Sequence, residues 1–475
     1  MTFTSKPFVC GADAARDARS VRGVRGHAVS VIERTLASRA PVVGELAAAA
    51  AGLDERDQAL LRELVYGTLR WLKRLDHVLV LASGRSLEQI QPNLLPILQV
   101  AAYQLLFLDR VPAHAIVHEA VAEAQRRSHK GAAGFVNAVL RRLAAQPDLG
   151  AWPVAVETLV ERLAVETSHP EILVRRWLAQ FGEAATRELL DANNRQKPVH
   201  LLAFCAKGGR ERLAEALRAE GVETEPSLLS PLGLVVRSGA PLRTAAFERG
   251  DFYIQDEVAQ LAALLPDPRA GERVLDVAAA PGGKGLALVA AEPGVRLVAA
   301  DLSLPRLAAL VENHRRLGSG ATLVAAAAEQ PPFIAAFDRV VVDYPCSGTG
   351  TLRKHPELKW RWSASELDRL ARQATLLLAG AATAVAPGGL LVGISCSLEP
   401  EENEAAGEAF LAWRPEFRRG MSRGEVVPQA LAARTGEGVW RWLPSGDHDG
   451  FTVQVFERRA RFPVRIPKER RGALY

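Results

Sequence analysis

"LDVAAAPGGKG", residues 275–285, closes a short apolar run at Asp276 and then passes through three alanines, a proline and two glycines. A strand that ends in a carboxylate and turns through small residues into a helix lets a ligand approach the main chain at the carboxyl edge of a sheet. Asp276, Ala278, Ala279, Ala280, Pro281, Gly282 and Gly283 are therefore the expected walls of a nucleotide-like site. The next apolar run, "VRLVAAD", ends at Asp301, 25 residues after Asp276. That is close to the spacing at which a second-strand carboxylate meets a ribose hydroxyl in doubly wound folds.

Working outward, the runs "RVLDVA", "VRLVAAD", "ATLVAA", "FDRVVVD" and "GGLLVGISC" alternate with helical segments from about residue 250 onward. Continuous branched apolar runs of this kind predict parallel strands buried on both faces. Residues 20–145 read differently. In "ERDQALLRELVYGTLRWLKRLDHVLVLA" apolar residues recur every three or four positions, with Leu64, Val65, Leu69 and Leu72 on one helical face and Arg62, Arg70 and Lys73 largely off it. Between the two, residues 146–245 carry a helical stretch and then the short runs "HLLAF" and "LGLVVRS" around a helix at 210–219, which predicts a small α/β insert. The expected layout is thus an all-α domain at 20–145, the insert at 146–245, a Rossmann-like α/β domain at 246–458 and a basic tail at 459–475.

With 475 residues, 48% of them hydrophobic, the chain has material for two or three separate cores. The start lacks the apolar centre of a secretory signal, and no apolar stretch at either end is long enough to cross a bilayer, so a cytoplasmic protein without a membrane partner is expected. The four cysteines (Cys10, Cys205, Cys346 and Cys396) are scattered without the close pairs of zinc sites, which predicts free thiols and no metal. The net charge of +5 permits a nucleic-acid partner without requiring one. Local clusters such as "RSVRGVRGH", "QRRSHK" and "TLRKHPELKWRW" interleave cations with apolar or aromatic residues, a composition suited to phosphates and stacked bases.

Two of the cysteines follow buried-strand patterns: Cys346 in "DYPCSGTG", residues 343–350, and Cys396 in "GISCSLEP", residues 393–400. Together with "QDEVAQLAALLPDPRAGERVLDVAAAPGGKG" and "SCSLEPEENE", these segments resemble the motif series of the Sun family of S-adenosylmethionine-dependent RNA cytosine-5 methyltransferases. The helical region, through "LVYGTLRWLKRLD", "AAYQLLFLDRVPAHAIVHEAVAEA" and "GFVNAVLRRL", is similar to the fold of the antitermination factor NusB. The resemblance runs from about residue 20 to 457. It implies an all-α NusB-like domain, a small α/β insert and a Rossmann-like methyltransferase domain, with S-adenosylmethionine as cofactor, small-subunit ribosomal RNA as partner, and a monomer.

Carbon 5 of cytosine becomes nucleophilic only after a group adds to carbon 6, and a thiolate can make that addition. After methylation a proton remains on carbon 5, so a second functional group is useful for release. The residues alone leave the two thiols unassigned, because Pro345-Cys346 also looks like the nucleophile of enzymes acting on DNA. The resemblance implies that Cys396 attacks and Cys346 assists release. It further implies that Asp343 faces the pyrimidine edge, that Lys284 reaches toward the base or a phosphate, that Arg306 joins the cofactor site, and that Arg353, Lys354, His355 and Lys359 contact phosphates around an extruded base. "EENE", 401–404, is expected to cap the following helix, with no catalytic role.

Four departures stand out from the family pattern. Tyr344 takes the place of an alanine before Pro-Cys, so its ring must fit beside the target base or turn away. Ser395 replaces a threonine. The carboxylate expected after the third strand, near Ala326 or Ala327, is missing, with Glu329 close by. In "PVHLLAF", an arginine and an asparagine usual near Leu202 and Phe204 are absent. Two other readings stay open: a non-catalytic RNA-binding or antitermination-type factor with a relic methyltransferase domain, and the same chemistry on transfer RNA or DNA.

Overall fold

The computed structural model describes residues 23–38, 41–128, 130–420 and 433–460. Cys10, most of the expected basic tail and the first residues of the "RSVRGVRGH" cluster lie outside them. The chain divides into two compact units, residues 1–194 with 355–361, and residues 195–354 with 362–475.

In the first unit, helices Val24–Ser38, Val42–Ala50, Glu55–Ser83, Leu95–Phe107, Ala113–Arg127 and Lys130–Ala145 surround one apolar core. The long helix starts where the Asp54 side chain accepts the Asp57 N–H and ends at Gly84, in the left-handed conformation that glycine tolerates. Leu64, Val65, Leu69 and Leu72 are buried, as their spacing predicts. Gly67 leaves room for Tyr103, whose ring would lie 2.0 Å from a methyl group placed there. Helices Leu159–Glu166 and Glu171–Asn194, expected from sequence to open the insert, belong to this unit, and so does the segment 355–361. Hydrogen bonds explain that segment's place: the buried Lys359 ammonium donates to Arg70 O, Ser168 O and Asn194 Oδ1 at 3.0–3.1 Å, and Trp360 Nε1 donates to Leu69 O at 2.8 Å.

The second unit holds two sheets. The smaller is antiparallel, built from β1 (His200–Ala203), β2 (Glu223–Pro226), β3 (Gly233–Ser238) and β4 (Phe252–Ile254) in the order β2-β3-β1-β4. Helix Gly209–Ala219 buries Leu213 and Leu217 in a core shared with Leu201, Leu234 and Phe252.

The larger sheet has a parallel part formed by β5 (Arg273–Asp276), β6 (Arg296–Asp301), β7 (Thr322–Ala325), β8 (Phe337–Asp343) and β9 (Val385–Ser395). Its order is β9-β8-β5-β6-β7. The chain steps outward from β5 to β7 and then crosses back to place β8 on the other side of β5. That reversal opens a crevice beyond the carboxyl ends of β5 and β8. The parallel sheet expected from the sequence is extended by antiparallel strands β10 (Phe417–Arg419), β11 (Ala433–Gly436), β12 (Val439–Trp442) and β13 (Phe451–Arg458), with β13 paired to β9. The mixed sheet brings residues after 450 beside the crevice. Among the described residues no helix is long and apolar enough to cross a membrane.

Candidate active site

Three carboxylates mark the ends of neighbouring strands: Asp276 on β5, Asp301 on β6 and Asp343 on β8. Asp276 is fully buried and accepts the Gly285 N–H at 3.1 Å. Burial, reinforced by the nearby Asp343 charge, pushes its pKa up to about 7. Asp301 accepts the N–H groups of Ala280 at 3.1 Å and Ser303 at 2.9 Å, so one carboxylate fixes both the turn and the start of the next helix.

The turn between β5 and its helix is held from outside as well. Arg306 donates to Ala280 O and lies 3.4 Å from Asp301, Asn313 donates to Pro281 O at 2.8 Å, and Gln255 donates to Gly283 O at 3.0 Å. Gly282 sits at φ +112°, a conformation open to glycine and strained for other residues. With its carbonyls tied back, the turn forms one wall of an open cavity of about 210 Å³, lined also by Tyr253, Lys284, Asp343, Lys354 and Phe451. A main-chain cradle with the Asp343 carboxylate in its lining suits a nucleoside that carries a positive centre. Glu329 is exposed and is not among the cavity's lining residues.

Lys284 bridges the cradle to the second half of the site. Its ammonium lies 2.9 Å from Asp343 Oδ2 and 5.2 Å from the centre of the Phe451 ring. Burial disfavours its charge, and the Asp343 carboxylate more than offsets this, so the pKa is raised and the lysine stays protonated. Phe451 arrives on β13, next to the Thr452–Ser395 pair that joins β13 to β9. No local pattern in the sequence announces it.

The two thiols meet just past β8 and β9. The Cys346 and Cys396 sulfurs lie 3.3 Å apart, a hydrogen-bonded pair. The hydrogen bond from Cys346 lowers the Cys396 pKa against the cost of burial, and the Thr351 hydroxyl and the Lys284 charge act in the same direction. The same contact, with burial, pushes Cys346 well up. Of the pair, Cys396 is therefore the more readily ionised thiol and Cys346 the less.

Tyr344 turns away from the crevice. Its ring is buried in the core beneath the sheet and its hydroxyl donates to Asn403 Oδ1 at 3.1 Å, beside the Ser395 hydroxyl at 2.7 Å from the same oxygen. The "EENE" run does more than start a helix. Glu402 and Asn403 are fully buried and hydrogen-bond the segments around both cysteines.

Of the basic residues after Cys346, the structure corrects Lys359 and Arg353. Lys359, expected at a phosphate, is buried on its three acceptors within the helical unit, and burial next to Arg70 holds its pKa well below the lysine range. Arg353 is buried too, with its guanidinium donating to Gly446 O at 3.1 Å. Both side chains lie where water is largely excluded and protein oxygens take their donors. Lys354 lines the cavity and lies 2.7 Å from the buried Asp449, which also faces Lys197. His355 keeps a side chain 42% exposed, 3.7 Å from Glu357. Among the described residues no cluster of histidine, cysteine, aspartate or glutamate is arranged to hold a metal.

Comparison with known proteins gives this geometry a family. Residues 263–457 match the 16S rRNA methyltransferase RsmB/F model, residues 22–145 the NusB family, and residues 169–243 the ferredoxin-like domain of RsmF/B-like methyltransferases. The probable ribosomal RNA small subunit methyltransferase B of Bacillus subtilis is 33% identical over 410 residues, covering 84% of this chain and 90% of the relative. This chain belongs to the ribosomal RNA small subunit methyltransferase B family. The methyltransferase B of Pseudomonas syringae pv. tomato is likewise 33% identical, over 89% of this chain and 94% of its own. Among solved structures, that of PH0851 shares the fold with a TM-score of 0.74 at 24% identity, covering 92% of this chain and 99% of that one. The structure of NSun6 from Pyrococcus horikoshii with SFG aligns with a TM-score of 0.53 at 20% identity, covering 62% of this chain and 99% of that one. Membership of the methyltransferase B family agrees with the NusB-like helical domain, the small insert and the methyltransferase domain read from the sequence.

Proposed function

We propose that this chain methylates carbon 5 of a cytosine in small-subunit ribosomal RNA, with S-adenosylmethionine as methyl donor. The observation that carries the reading is the thiol pair, 3.3 Å apart, at the same sheet edge as the Lys284–Asp343 pair and the glycine turn.

S-adenosylmethionine supplies an electrophilic methyl group when bound. The turn from Ala278 to Gly283, with Asp276, Asp301 and Arg306, holds it, and Asp343 and Lys284 border both cofactor and base. Cys396, the more readily ionised of the two thiols, adds as its thiolate to carbon 6 and raises the electron density at carbon 5. Asp343, backed by Lys284, hydrogen-bonds the pyrimidine edge and makes carbon 6 more electrophilic. Once carbon 5 carries its methyl group, water in the open cavity takes its hydrogen as a proton, the electron pair of that bond re-forms the double bond between carbons 5 and 6, and the bond from carbon 6 to sulfur breaks with its electron pair leaving on Cys396. Cys346 stands beside the departing sulfur and assists that release.

The test is methyl incorporation from labelled S-adenosylmethionine into small-subunit ribosomal RNA, transfer RNA and DNA, with the product located by bisulfite sequencing. A protected cytosine in the ribosomal RNA alone is expected. Methylation of another nucleic acid would move the substrate assignment. Absence of methylation, with RNA binding retained, would favour a non-catalytic RNA-binding factor, a reading to which the missing carboxylate after β7 lends some support and the paired thiols none.

A further inference from the structure

The cysteines sit on separate loops, 50 residues apart in sequence, which meet where the Gly350 N–H donates to Cys396 O at 2.8 Å and the Leu398 N–H donates to Thr349 Oγ1 at 2.9 Å. A further side chain, that of Glu402, binds the residue after each cysteine. The Glu402 carboxylate is fully buried; its Oε1 accepts the Ser347 N–H at 2.7 Å, and its Oε2 accepts the Ser347 hydroxyl at 2.6 Å and the Ser397 hydroxyl. Ser347 follows Cys346 and Ser397 follows Cys396. The two serine hydroxyls also lie 3.2 Å from each other. Glu402 itself is carried on the single irregular turn Glu401–Ala405, whose neighbour Asn403 donates to Ser397 O and Glu399 O.

We propose that Glu402 is a positioning residue that holds the Cys346 and Cys396 loops in register, through Ser347 and Ser397, so that the two sulfurs meet. The proposal rests on the reading of the thiols as the reacting pair. A carboxylate is suited to the task because it accepts three donors at once, whereas an amide side chain offers one accepting oxygen. Its carboxylate next to Ser347 also acts on the nearer thiol: Glu402 is among the groups that raise the Cys346 pKa, which widens the difference in ease of ionisation between Cys346 and Cys396.

The experiment reads sulfur geometry separately from catalysis, in the full chain. Dibromobimane becomes fluorescent only when it bridges two neighbouring thiols, and peptide mapping identifies the pair. In the native protein it is expected to bridge Cys346 to Cys396, whether or not the RNA substrate has been correctly identified. Glu402→Ala is expected to lower the bridging rate about tenfold and kcat for methyl transfer by up to about a hundredfold, the scale of a reacting group displaced by an ångström. KM and cofactor affinity should not change, because the glycine turn and Asp301 are held by other partners. Glu402→Gln, which keeps the volume and one acceptor, should recover part of both losses, and iodoacetamide labelling of Cys346 in it should rise at lower pH than in the native chain. If Glu402→Ala proves too unstable to isolate, Ser397→Ala cuts one arm of the bridge and should slow bridging with the same unchanged KM. Bridging and kcat within about twofold of native in these variants would overturn the proposal. Failure of the native chain to methylate RNA while bridging follows the expected order would instead count against the functional reading alone.

Discussion

The sulfurs of Cys346 and Cys396 lie 3.3 Å apart, and their mutual hydrogen bond moves the two thiols in opposite directions, Cys396 down and Cys346 up. Such a pair gives two distinguishable losses. Cys396→Ala should abolish methyl transfer and leave no covalent RNA adduct. Cys346→Ala should still add to carbon 6 but release slowly, so a protein band shifted by bound RNA should persist on denaturing gels, and the double variant should lose it. A band from Cys396→Ala with none from Cys346→Ala would reverse the two roles.

Asp301 accepts two main-chain N–H groups and stands beside Arg306. Asp301→Ala removes the anchor of the glycine turn together with the expected ribose contact. S-adenosylmethionine binding should weaken by about 1.5–3 kcal/mol, the scale of a hydrogen bond to a charged group. Calorimetry with an unchanged Kd would remove the assignment.

Asp276 is an acid whose folded pKa, about 7, lies above its ordinary value of 3.8. The native state therefore holds a proton that the unfolded chain gives up. Below the unfolded value the two states are protonated alike. As pH rises from near 4 toward 7 the unfolded chain ionises first, and this residue's contribution to stability falls. Asp276→Asn removes the titration and keeps an oxygen to accept the Gly285 N–H. The melting-temperature difference, variant minus native, should grow through that window and level off above it. A difference that does not vary with pH would exclude the buried acid as its source.

Tyr344 is directed into the core and its hydroxyl meets Asn403. Tyr344→Phe should cost about 0.5–1.5 kcal/mol of stability and leave methyl transfer nearly unaltered, and Tyr344→Ala should cost about 3–5 kcal/mol from the cavity it opens. Chemical denaturation measures both. A large loss of kcat in Tyr344→Phe at full stability would place the hydroxyl in the reaction after all.

Lys359 donates to three oxygens inside the helical unit. Lys359→Met leaves those buried acceptors unpartnered and should destabilise the protein by about 1–3 kcal/mol. RNA affinity in the folded variant should keep its slope against salt, because no phosphate contact is lost. A slope shallower by about one would restore the phosphate role.

Local order was legible in the residues themselves. Branched apolar runs closing at Asp276, Asp301 and Asp343 specify buried parallel strands and the edge at which they end. The proline and glycines after Asp276 specify a turn that admits a ligand, and the spacing of Leu64, Val65, Leu69 and Leu72 specifies a helix with one buried face. These signals work because strand and helix periods and turn chemistry act over a few neighbouring residues.

Which polar group meets which was decided only by the tertiary structure. Lys359 and Arg353 look like phosphate-binding cations in sequence, yet each ends among buried oxygens that no nearby residue foretells. Tyr344, next to the active-site cysteine, turns inward to Asn403, and Phe451 reaches the site because β13 pairs with β9. Glu402 reads as a helix-start carboxylate, and becomes the common acceptor of two loops only when β8 and β9 lie side by side. Burial makes every unpartnered donor costly, so partners are selected by the packing of distant strands, which a run of residues does not encode by itself.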